Sequence, residues 1–313
     1  MVRSDNLKNT KVKLFDYNVQ LNGNNALNNY IYSQQNYIPP NIAMINPFTL
    51  WQQGYTGKGI KVAVIDTGYS KHDDLDMNII GGRNFTKEDG GNPNIFNDYN
   101  GHSTHICGTI CANGHIKGIA PDTKLLILKV LEGNGNGNLE SVYNAINYAI
   151  DQKVNIMNVS LGCPSDITEL HSAIKRAVSN NIVVCCAIGN SGDNNASTNE
   201  IDYPAYYPEV VSVGAVDNSR LSATFSNSNI YCDCVAPGVN VVSTHLNNSY
   251  LSLDGTSMAT PHVVGAIALL MEKFRKKYNR EPLYMEIYAQ LIKNTIDLGI
   301  DTRIQGNGSL FLR

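Results

Sequence analysis

Residues 61–68 of the chain read KVAVIDTG, a short apolar run that ends in an aspartate and a Thr-Gly turn. The run is too continuous for a half-exposed strand, and its Val and Ile content indicates a strand covered on both faces. Similar runs follow along the chain: KLLILKVL (124–131), VNIMNVSL (154–161), IVVCCAIG (182–189) and VVSVGAV (210–216). Helical patterns separate them, at roughly 101–113, 138–152, 167–180, 256–278 and 284–295. This alternation predicts an α/β fold with a mostly parallel central sheet and helices on both faces.

Length and charge narrow the functional classes. The 313 residues suffice for one large core, and a formal net charge of −3 gives no indication of a nucleic-acid partner or an anionic membrane surface. The first residues, MVRSDNLKNTKVK, lack the apolar core of a signal peptide, and the apolar runs are far shorter than a membrane span. Seven cysteines is an odd number, and Cys185 and Cys186 are adjacent within one apolar run. These features predict reduced, buried thiols and a cytoplasmic location.

The first 45 residues differ in composition from the rest of the chain. They are rich in Asn, Gln and Tyr, have weak periodicity around VKLFDYNVQL, and end near Pro39-Pro40. We therefore expect an N-terminal extension over residues 1–45 and one folded domain over residues 46–313. A disordered tail is the simplest alternative for the extension.

Five polar residues end the predicted strands or begin the predicted helices. Because ligands bind beyond the carboxyl ends of parallel strands, we expect these residues to gather at one edge of the sheet: Asp66, His102, Ser160, Asn190 and Ser257. Each has an ordinary explanation by itself, since Asp, Asn and Ser favour turns and serine often caps a helix. Together they contain the parts of an acyl-transfer site. A serine nucleophile needs an imidazole to remove its proton, a carboxylate to hold the imidazole, and a donor for the oxyanion.

Five sequence blocks around these residues resemble, in order and spacing, the signature blocks of the subtilisin family: VAVIDTG, NGHSTHICGTI, SLGCPS, AIGNSG and GTSMATPHVVGA. The order Asp, His, Ser is that of subtilisins and differs from the orders in chymotrypsins and α/β-hydrolases. The resemblance extends from about Trp51 to Leu312. It is closest to the intracellular subtilisins, which GKGIKVAVIDTG, GGRNFTKEDGG, DYNGH and QGNGSLFL also resemble.

The resemblance implies a subtilisin-like three-layer fold and a serine endopeptidase that needs no cofactor for its chemistry. Carried over by position, Ser257 is the nucleophile, His102 is the general base and then acid, and Asp66 is the carboxylate that orients His102. The side chain of Asn190 and the backbone N–H of Ser257 would bind the oxyanion.

By the same resemblance, two backbone edges would pair with an extended polypeptide substrate: Gly135, Asn136 and Gly137 on one side, and Ser160, Leu161 and Gly162 on the other. Asp202, in EIDYPAYYPEVV, matches the floor of the primary specificity pocket, where subtilisins usually carry a small neutral residue. A carboxylate there would favour Lys or Arg before the scissile bond, because a buried charge is costly without a counterion. The alternative is a solvated loop aspartate.

Subtilisins commonly bind calcium, and Asp74 in KHDDLD matches one of the ligand positions. The loop that would complete this site, CANGHIKGIAP, is shorter than in the family and lacks its Asn-rich ligands, so we expect the strong site to be lost. A weaker structural calcium site would use Asp233 with carbonyls near Ala205, Tyr207 and Val210.

The extension occupies the place of the short propeptide of intracellular subtilisins, whose Leu-Ile-Pro-Tyr motif lies across the cleft and blocks it. The best match in this chain is LFDY (14–17), with Asp16 in place of the proline. We expect residues 1–45 to inhibit the enzyme in cis until proteolysis removes them. The oligomeric state is open, with a homodimer as one option.

One substitution favours a second interpretation. Ser103 stands where the family has glycine in its Gly-His-Gly-Thr-His block. If that position needs a positive φ or a close backbone approach, serine costs about 1–2 kcal/mol and displaces His102. The protein would then be a catalytically impaired peptide-binding or regulatory protein.

Three other kinds of site are disfavoured. GNGNGNL (133–139) follows a strand, as a dinucleotide loop would, but Asn138 stands where the fingerprint needs glycine. Ser257 lies in GTSMA rather than in the GxSxG of an α/β-hydrolase esterase. Cys232-x-Cys234 and His102-x-x-His105 lack the paired spacing of a zinc site.

Overall fold

The computed structural model describes residues 7–15, 18–19, 24–34 and 36–313. Within these residues the strands are β1 (Lys11–Leu14), β2 (Asn18–Val19), β3 (Lys61–Asp66), β4 (Ile79–Asn84), β5 (Lys124–Lys129), β6 (Asn136–Asn138), β7 (Ile156–Val159), β8 (Leu161–Gly162), β9 (Val183–Ala187), β10 (Val211–Val216), β11 (Cys234–Pro237), β12 (Val241–His245), β13 (Ser249–Asp254), β14 (Thr295–Ile296) and β15 (Ser309–Leu310). The helices are α1 (Asn24–Ser33), α2 (Pro40–Ile45), α3 (Phe48–Gln52), α4 (His102–Cys111), α5 (Leu139–Asp151), α6 (Thr168–Ser179), α7 (Thr256–Tyr278), α8 (Tyr284–Lys293) and α9 (Thr302–Gln305), with a 3₁₀ helix at Glu88–Gly91.

Nine strands form the central sheet, in the order β14-β15-β11-β10-β9-β7-β3-β5-β4. Neighbouring strands are parallel throughout, except for β14 and β15 at one edge. The five strands predicted from the sequence lie side by side in this sheet, and β3 begins and ends at the predicted residues. The mostly parallel sheet is therefore confirmed.

Alternate residues of the central strands face two separate hydrophobic clusters. In β3, Val62 and Val64 belong to the cluster that contains residues of α4 and α7. Ala63 and Ile65 belong to the cluster on the other face, with residues of α5 and α6. Because helices cover both faces, the inner positions 62–65 of the strand are all apolar, which is why these runs lack alternation. The three-layer architecture is confirmed.

The seven cysteines are all buried, and none forms a disulfide in the described ranges, which include all seven. The adjacent Cys185 and Cys186 face opposite sides of the sheet. Burial raises the pKa of both thiols, so they are packed as small apolar groups.

Two small sheets hold the N-terminal residues. Strand β1 lies between β6 and β8 and is antiparallel to both, and β2 pairs with β13 of the β12–β13 hairpin. Further along, α1 packs on β13, and α2 packs on β12 and α7. Ile31, Ile42 and Ile45 are buried in the larger hydrophobic cluster. The second half of the extension is therefore part of the core.

None of the helices in the described ranges is long and apolar enough to cross a membrane.

Candidate active site

Asp66 and His102 are hydrogen-bonded in the interior of the protein. Asp66 is the last residue of β3, and His102 is the first residue of α4. Nδ1 of His102 lies 2.9 Å from Oδ1 of Asp66, and both side chains are fully buried. Because an ionised carboxylate can only accept, Nδ1 carries the proton and Nε2 carries the lone pair. The carboxylate therefore holds the tautomer that a general base requires.

A second aspartate, Asp98, holds the loop from which α4 begins. Its Oδ1 accepts hydrogen bonds from the Gly101 N–H at 2.8 Å and from the Thr67 hydroxyl at 2.9 Å. Its Oδ2 accepts from the N–H and the hydroxyl of Thr104. Gly101 has a φ of 95°, a conformation that favours glycine. These contacts tie the end of β3 to the start of α4 and thereby set the position of His102.

Ser103 lies inside α4 and has a helical backbone rather than a positive φ. Its N–H donates to the hydroxyl of Thr67 at 3.1 Å. The strain expected for a position that needs a positive φ is therefore absent, and His102 keeps its hydrogen bond to Asp66. The part of the impaired-enzyme hypothesis that rests on a positive φ therefore does not apply.

Ser257 is the second residue of α7, after Thr256, and Gly255 occupies the N-cap position. The Ser257 hydroxyl is therefore not a helix cap, and it donates to the carbonyl of Ser160 at 3.2 Å. The Ser160 hydroxyl in turn donates to the carbonyl of Ser257 at 3.3 Å. Since α4 and α7 pack against each other, His102 and Ser257 begin neighbouring helices.

Asn190 is oriented by the residue that precedes Ser257. Its Oδ1 accepts hydrogen bonds from the N–H of Thr256 at 2.9 Å and from the Thr256 hydroxyl at 2.7 Å. Because Oδ1 takes both bonds, Nδ2 is the donor on the other side of the amide. An amide fixed in this way can donate to a developing oxyanion.

The two predicted substrate edges lie on either side of β1. The Leu14 N–H donates to the carbonyl of Gly135 at 3.0 Å. The paired residues of the strands are Lys11 with Asn138, Val12 with Gly137, Lys13 with Asn136, Lys13 with Gly162, and Leu14 with Leu161. Ser160 is outside this pairing and contacts Ser257 instead. A segment of the chain itself thus lies extended along the cleft. Asp16 and Tyr17 of the LFDY motif are outside the described residues.

A cavity of about 250 Å³ lies beside β1, and its lining includes Phe15, Asn190 and Asp202. The Asp202 carboxylate accepts a hydrogen bond from Nδ2 of Asn227 at 3.0 Å. Burial raises the pKa of Asp202 to about 6, while the Asn227 hydrogen bond and the charge of Lys13 act to lower it. The structure therefore brings this carboxylate to the same cavity as the predicted oxyanion donor.

Comparison with known proteins agrees with this geometry. Residues 57–308 match the Subtilase family. The Major intracellular serine protease of Bacillus subtilis (strain 168) is 48% identical over 301 residues, which is 93% of this chain and 94% of that protein. The chain belongs to the subtilase family. The Intracellular serine protease of Paenibacillus polymyxa is 49% identical over 284 residues, covering 89% of this chain and 86% of the relative. Subtilisin DY of Bacillus licheniformis is 40% identical over 240 residues, covering 76% and 85%. This subtilase is a serine endopeptidase.

Asp74 of the subtilase is surrounded by hydrogen-bond donors. Its Oδ1 accepts from the N–H of His115 at 2.7 Å. Its Oδ2 accepts from the N–H of Ile116 at 3.0 Å and from the Tyr250 hydroxyl at 2.9 Å. Calcium takes six to eight oxygen ligands, and the protons of these donors point where a cation would sit. This set of groups does not fit a calcium ion at Asp74.

Asp233 is likewise satisfied by donors. Its Oδ1 accepts from the Tyr288 hydroxyl at 2.5 Å, and its Oδ2 accepts from the Ser212 N–H at 2.7 Å. Burial raises the pKa of Asp233 to about 6. The carbonyl of Tyr207 accepts the N–H of Val210 at 3.3 Å. These contacts do not fit the weaker calcium site, and no cluster of three or more His, Cys, Asp or Glu in the described part of the chain could hold a metal.

Sequence reasoning missed Lys129, a buried lysine at the end of β5. Its Nζ donates to the carbonyls of Thr67 at 2.6 Å and Leu131 at 3.0 Å, and it pairs with the Glu88 carboxylate at 2.8 Å. Glu88 also accepts from the N–H of Gly133 at 3.1 Å. The pair ties the strand that ends in Asp66 to the loop before the cleft edge. A charged residue inside the apolar run KLLILKVL is the signal that could have found it.

Proposed function

We propose that this subtilase hydrolyses peptide bonds with Asp66, His102 and Ser257 as its catalytic triad. The observation that best supports this assignment is the buried hydrogen bond between Asp66 Oδ1 and His102 Nδ1. It leaves Nε2 of His102 as the basic nitrogen, and Ser257 begins the helix that packs against the His102 helix.

The proposed reaction starts with a rotation of the Ser257 hydroxyl away from the Ser160 carbonyl, its present acceptor. The hydroxyl gives its proton to Nε2 of His102 as its oxygen attacks the scissile carbonyl carbon. The Asp66 carboxylate stabilises the imidazolium that results. When the C–N bond breaks, His102 gives the proton to the leaving amine, and water then hydrolyses the acyl-enzyme by the same route.

The oxyanion would be bound by Nδ2 of Asn190 and the backbone N–H of Ser257. The Ser257 N–H is among the first in α7, and such groups have no acceptor within their own helix. Loss of one oxyanion donor typically costs about 3 kcal/mol, or 10²–10³ in rate. Thr256 is then a positioning residue, because its two hydrogen bonds fix the Asn190 amide.

We further propose that β1 inhibits the enzyme in cis. A substrate peptide needs the backbone groups of both edges, and β1 already pairs with β6 and β8. The inhibitory part would reach as far as Phe15 rather than residue 45. The part from α1 onward would stay with the mature enzyme, because Ile31, Ile42 and Ile45 lie in its core.

The cytoplasm is the proposed location, and polypeptides are the substrates. Two relatives are named intracellular serine proteases, and the seven buried cysteines without a disulfide fit a reducing compartment. The homodimer stays a prediction.

Labelling with a serine-reactive fluorophosphonate tests the triad and the inhibitor together. We expect the full chain to react slowly and a chain that lacks residues 1–15 to react at least about tenfold faster, because its cleft is open. Ser257→Ala should abolish labelling and peptide hydrolysis while leaving the circular dichroism spectrum unchanged. Ser252→Ala, in β13 outside the site, is the matched control and should label like the unchanged chain. Turnover by the Ser257→Ala variant would refute the triad, and equal labelling of the two chain lengths would refute the inhibitor.

A further inference from the structure

We infer that the cavity beside β1 accepts a Lys or Arg side chain of the substrate, with the Asp202 carboxylate as its counterion. The preference rests on the proposed function, because a substrate must replace β1 in the cleft before its side chain can reach this cavity.

The position of the cavity decides which substrate residue enters it. Gly162 and Cys163, at and after the end of β8, form one part of its lining, and Asn190 and Ser191 form another. A peptide that pairs with β8 and places its scissile carbonyl at Asn190 therefore directs the adjacent side chain here. Phe15 lies against Gly162, so closely that a methyl group on Gly162 would be 2.6 Å from Cζ of the ring. Departure of β1 would remove this ring and open the cavity.

Asp202 has a neutral partner but no cationic one within ion-pair distance in the described part of the chain. The amide of Asn227 that donates to it also donates to the Ile188 carbonyl at 3.0 Å. Oδ1 of Asn227 accepts from the Ser191 N–H at 2.7 Å. Asn227 thus fixes the carboxylate beside the Asn190 loop without neutralising it. A cation in the cavity would offset the cost of holding a partly desolvated carboxylate there.

Strand β1 provides an internal example of the same attraction. Lys13 lines this cavity, and its charge acts to lower the pKa of Asp202. Lys11 of the same strand also lines the cavity, as does Cys163, whose thiol pKa is raised by burial and, to a smaller extent, by Asp202. Both lysines belong to β1, so after β1 leaves, Asp202 is the carboxylate that remains on the cavity wall, and a cationic side chain is its complement.

Peptidyl phosphonates that react with the serine nucleophile can test this on the full chain. Two probes are needed that differ only in the residue before the phosphonate, Arg in one and Leu in the other. Because β1 competes equally with both probes, the ratio of their labelling rates does not depend on how much of the cleft is open. At pH 8 we expect the Arg probe to react about 10- to 100-fold faster, the range expected of a charged hydrogen bond.

Asp202→Asn is the decisive variant, since it keeps the size of the side chain and an oxygen to accept the Asn227 hydrogen bond. We expect it to bring the ratio to about one, chiefly through a slower reaction of the Arg probe. Asp202→Glu, which retains the charge, should keep a ratio above one. Equal rates for the two probes in the unchanged chain, or an unchanged ratio in Asp202→Asn, would overturn the preference. Absence of labelling by a plain fluorophosphonate would instead overturn the proposed triad, so the two failures are distinguishable.

The pH dependence of the ratio gives an independent readout. Burial raises the pKa of Asp202 to about 6, so the carboxyl is neutral well below this pH and charged above it. The ratio of Arg to Leu rates should rise between pH 5 and pH 8 with a midpoint near 6. A ratio that is constant with pH in the unchanged chain would contradict the role of Asp202.

Discussion

The N-terminal extension contains two regions that relate to the enzyme in opposite ways. Strand β1 contacts the cleft through backbone pairing on both edges, and its Lys11 and Lys13 are exposed. Residues 24–45 instead place side chains in the core, among them Ile31 and Ile45, which have no exposed surface. A backbone-paired strand can be exchanged for another extended peptide, whereas removal of core side chains leaves cavities. We therefore expect the type of contact, and not the position in the sequence, to define which part of the extension proteolysis removes.

Asn41 joins the second region to α7, the helix that carries Ser257. Its Nδ2 donates to Nε2 of His262 in α7 at 3.0 Å, and its Oδ1 accepts from the Val242 N–H at 3.2 Å. His262 Nδ1 donates to the carbonyl of Met258, one residue after Ser257. The helix that carries Ser257 is therefore held by a residue of the extension.

Two truncations give the largest expected effect. Deletion of residues 1–15 should leave a folded and more active enzyme. Deletion of residues 1–45 should prevent folding, because it removes three core isoleucines, each worth about 2–5 kcal/mol, against a typical total stability of 5–15 kcal/mol. Circular dichroism melting and peptide hydrolysis of the two proteins provide the measurement. A folded, active protein that starts at residue 46 would contradict the claim that residues 24–45, unlike β1, are needed for folding.

Acidification should weaken the hydrogen bond between Asn41 and His262, with a smaller effect on stability than the truncation of residues 1–45. Burial lowers the pKa of His262 to about 4, and protonation would give Nε2 a hydrogen that faces the Asn41 amide donor. The folded-state pKa lies below the unfolded value of about 6.5, so the stabilisation is full above pH 6.5 and is lost as the pH falls toward 4. The unfolding free energy should therefore fall by at most about 1.4 kcal/mol per pH unit in this window because of His262.

Urea unfolding at pH 7 and pH 5 measures this slope, and His262→Gln isolates the contribution of His262. The variant should lose less stability between the two pH values than the unchanged chain does. His105 stays in place and acts in the same direction, since burial lowers its pKa to about 3. A chain without residues 1–15 should keep the full slope, because Asn41 remains. If the unfolding free energy falls equally between pH 7 and pH 5 with and without His262, the proposed contribution of the contact between the extension and α7 is contradicted.

The sequence predicts the bounds of a strand or helix correctly where its hydrophobic pattern directly reflects burial. The strand at 61–66 and the helix at 256–278 begin and end as predicted, because continuous apolar runs and helical periodicity reflect burial directly. Strand β4 was missed because IIGGRN contains two glycines and is partly exposed, so neither pattern appears. The short strands β1 and β8 have at most a weak signal of their own, and they pair with each other across the cleft.

Within the site, the residues proposed to carry the chemistry have a clearer sequence signal than those that orient them. Asp66, His102 and Ser257 stand in recognisable blocks, whereas Asp98 and Thr256 act through contacts between distant segments. A turn aspartate and a threonine beside a glycine have many ordinary explanations, and only the fold shows what they contact. Ser103 illustrates the reverse case, because a departure from the family pattern suggested strain that a helical backbone does not produce.

The smallest expected effect is that of calcium on the melting temperature, and it depends on the second region of the extension, residues 24–45. The donors around Asp74 include the His115 N–H and the Tyr250 hydroxyl, and Tyr32 of α1 packs its ring against both His115 and Tyr250. Asn28 of α1 also accepts from the Tyr250 N–H at 2.8 Å. The second region of the extension therefore supports hydrogen bonds where a cation would otherwise be needed.

We expect the melting temperature of the full chain to be the same in the presence of calcium and in the presence of a chelator. Asp74→Asn should lower stability by about 1–3 kcal/mol in both conditions, because its amide would face backbone donors. A calcium-dependent rise in melting temperature that disappears in Asp74→Asn would show that the carboxylate binds the ion after all.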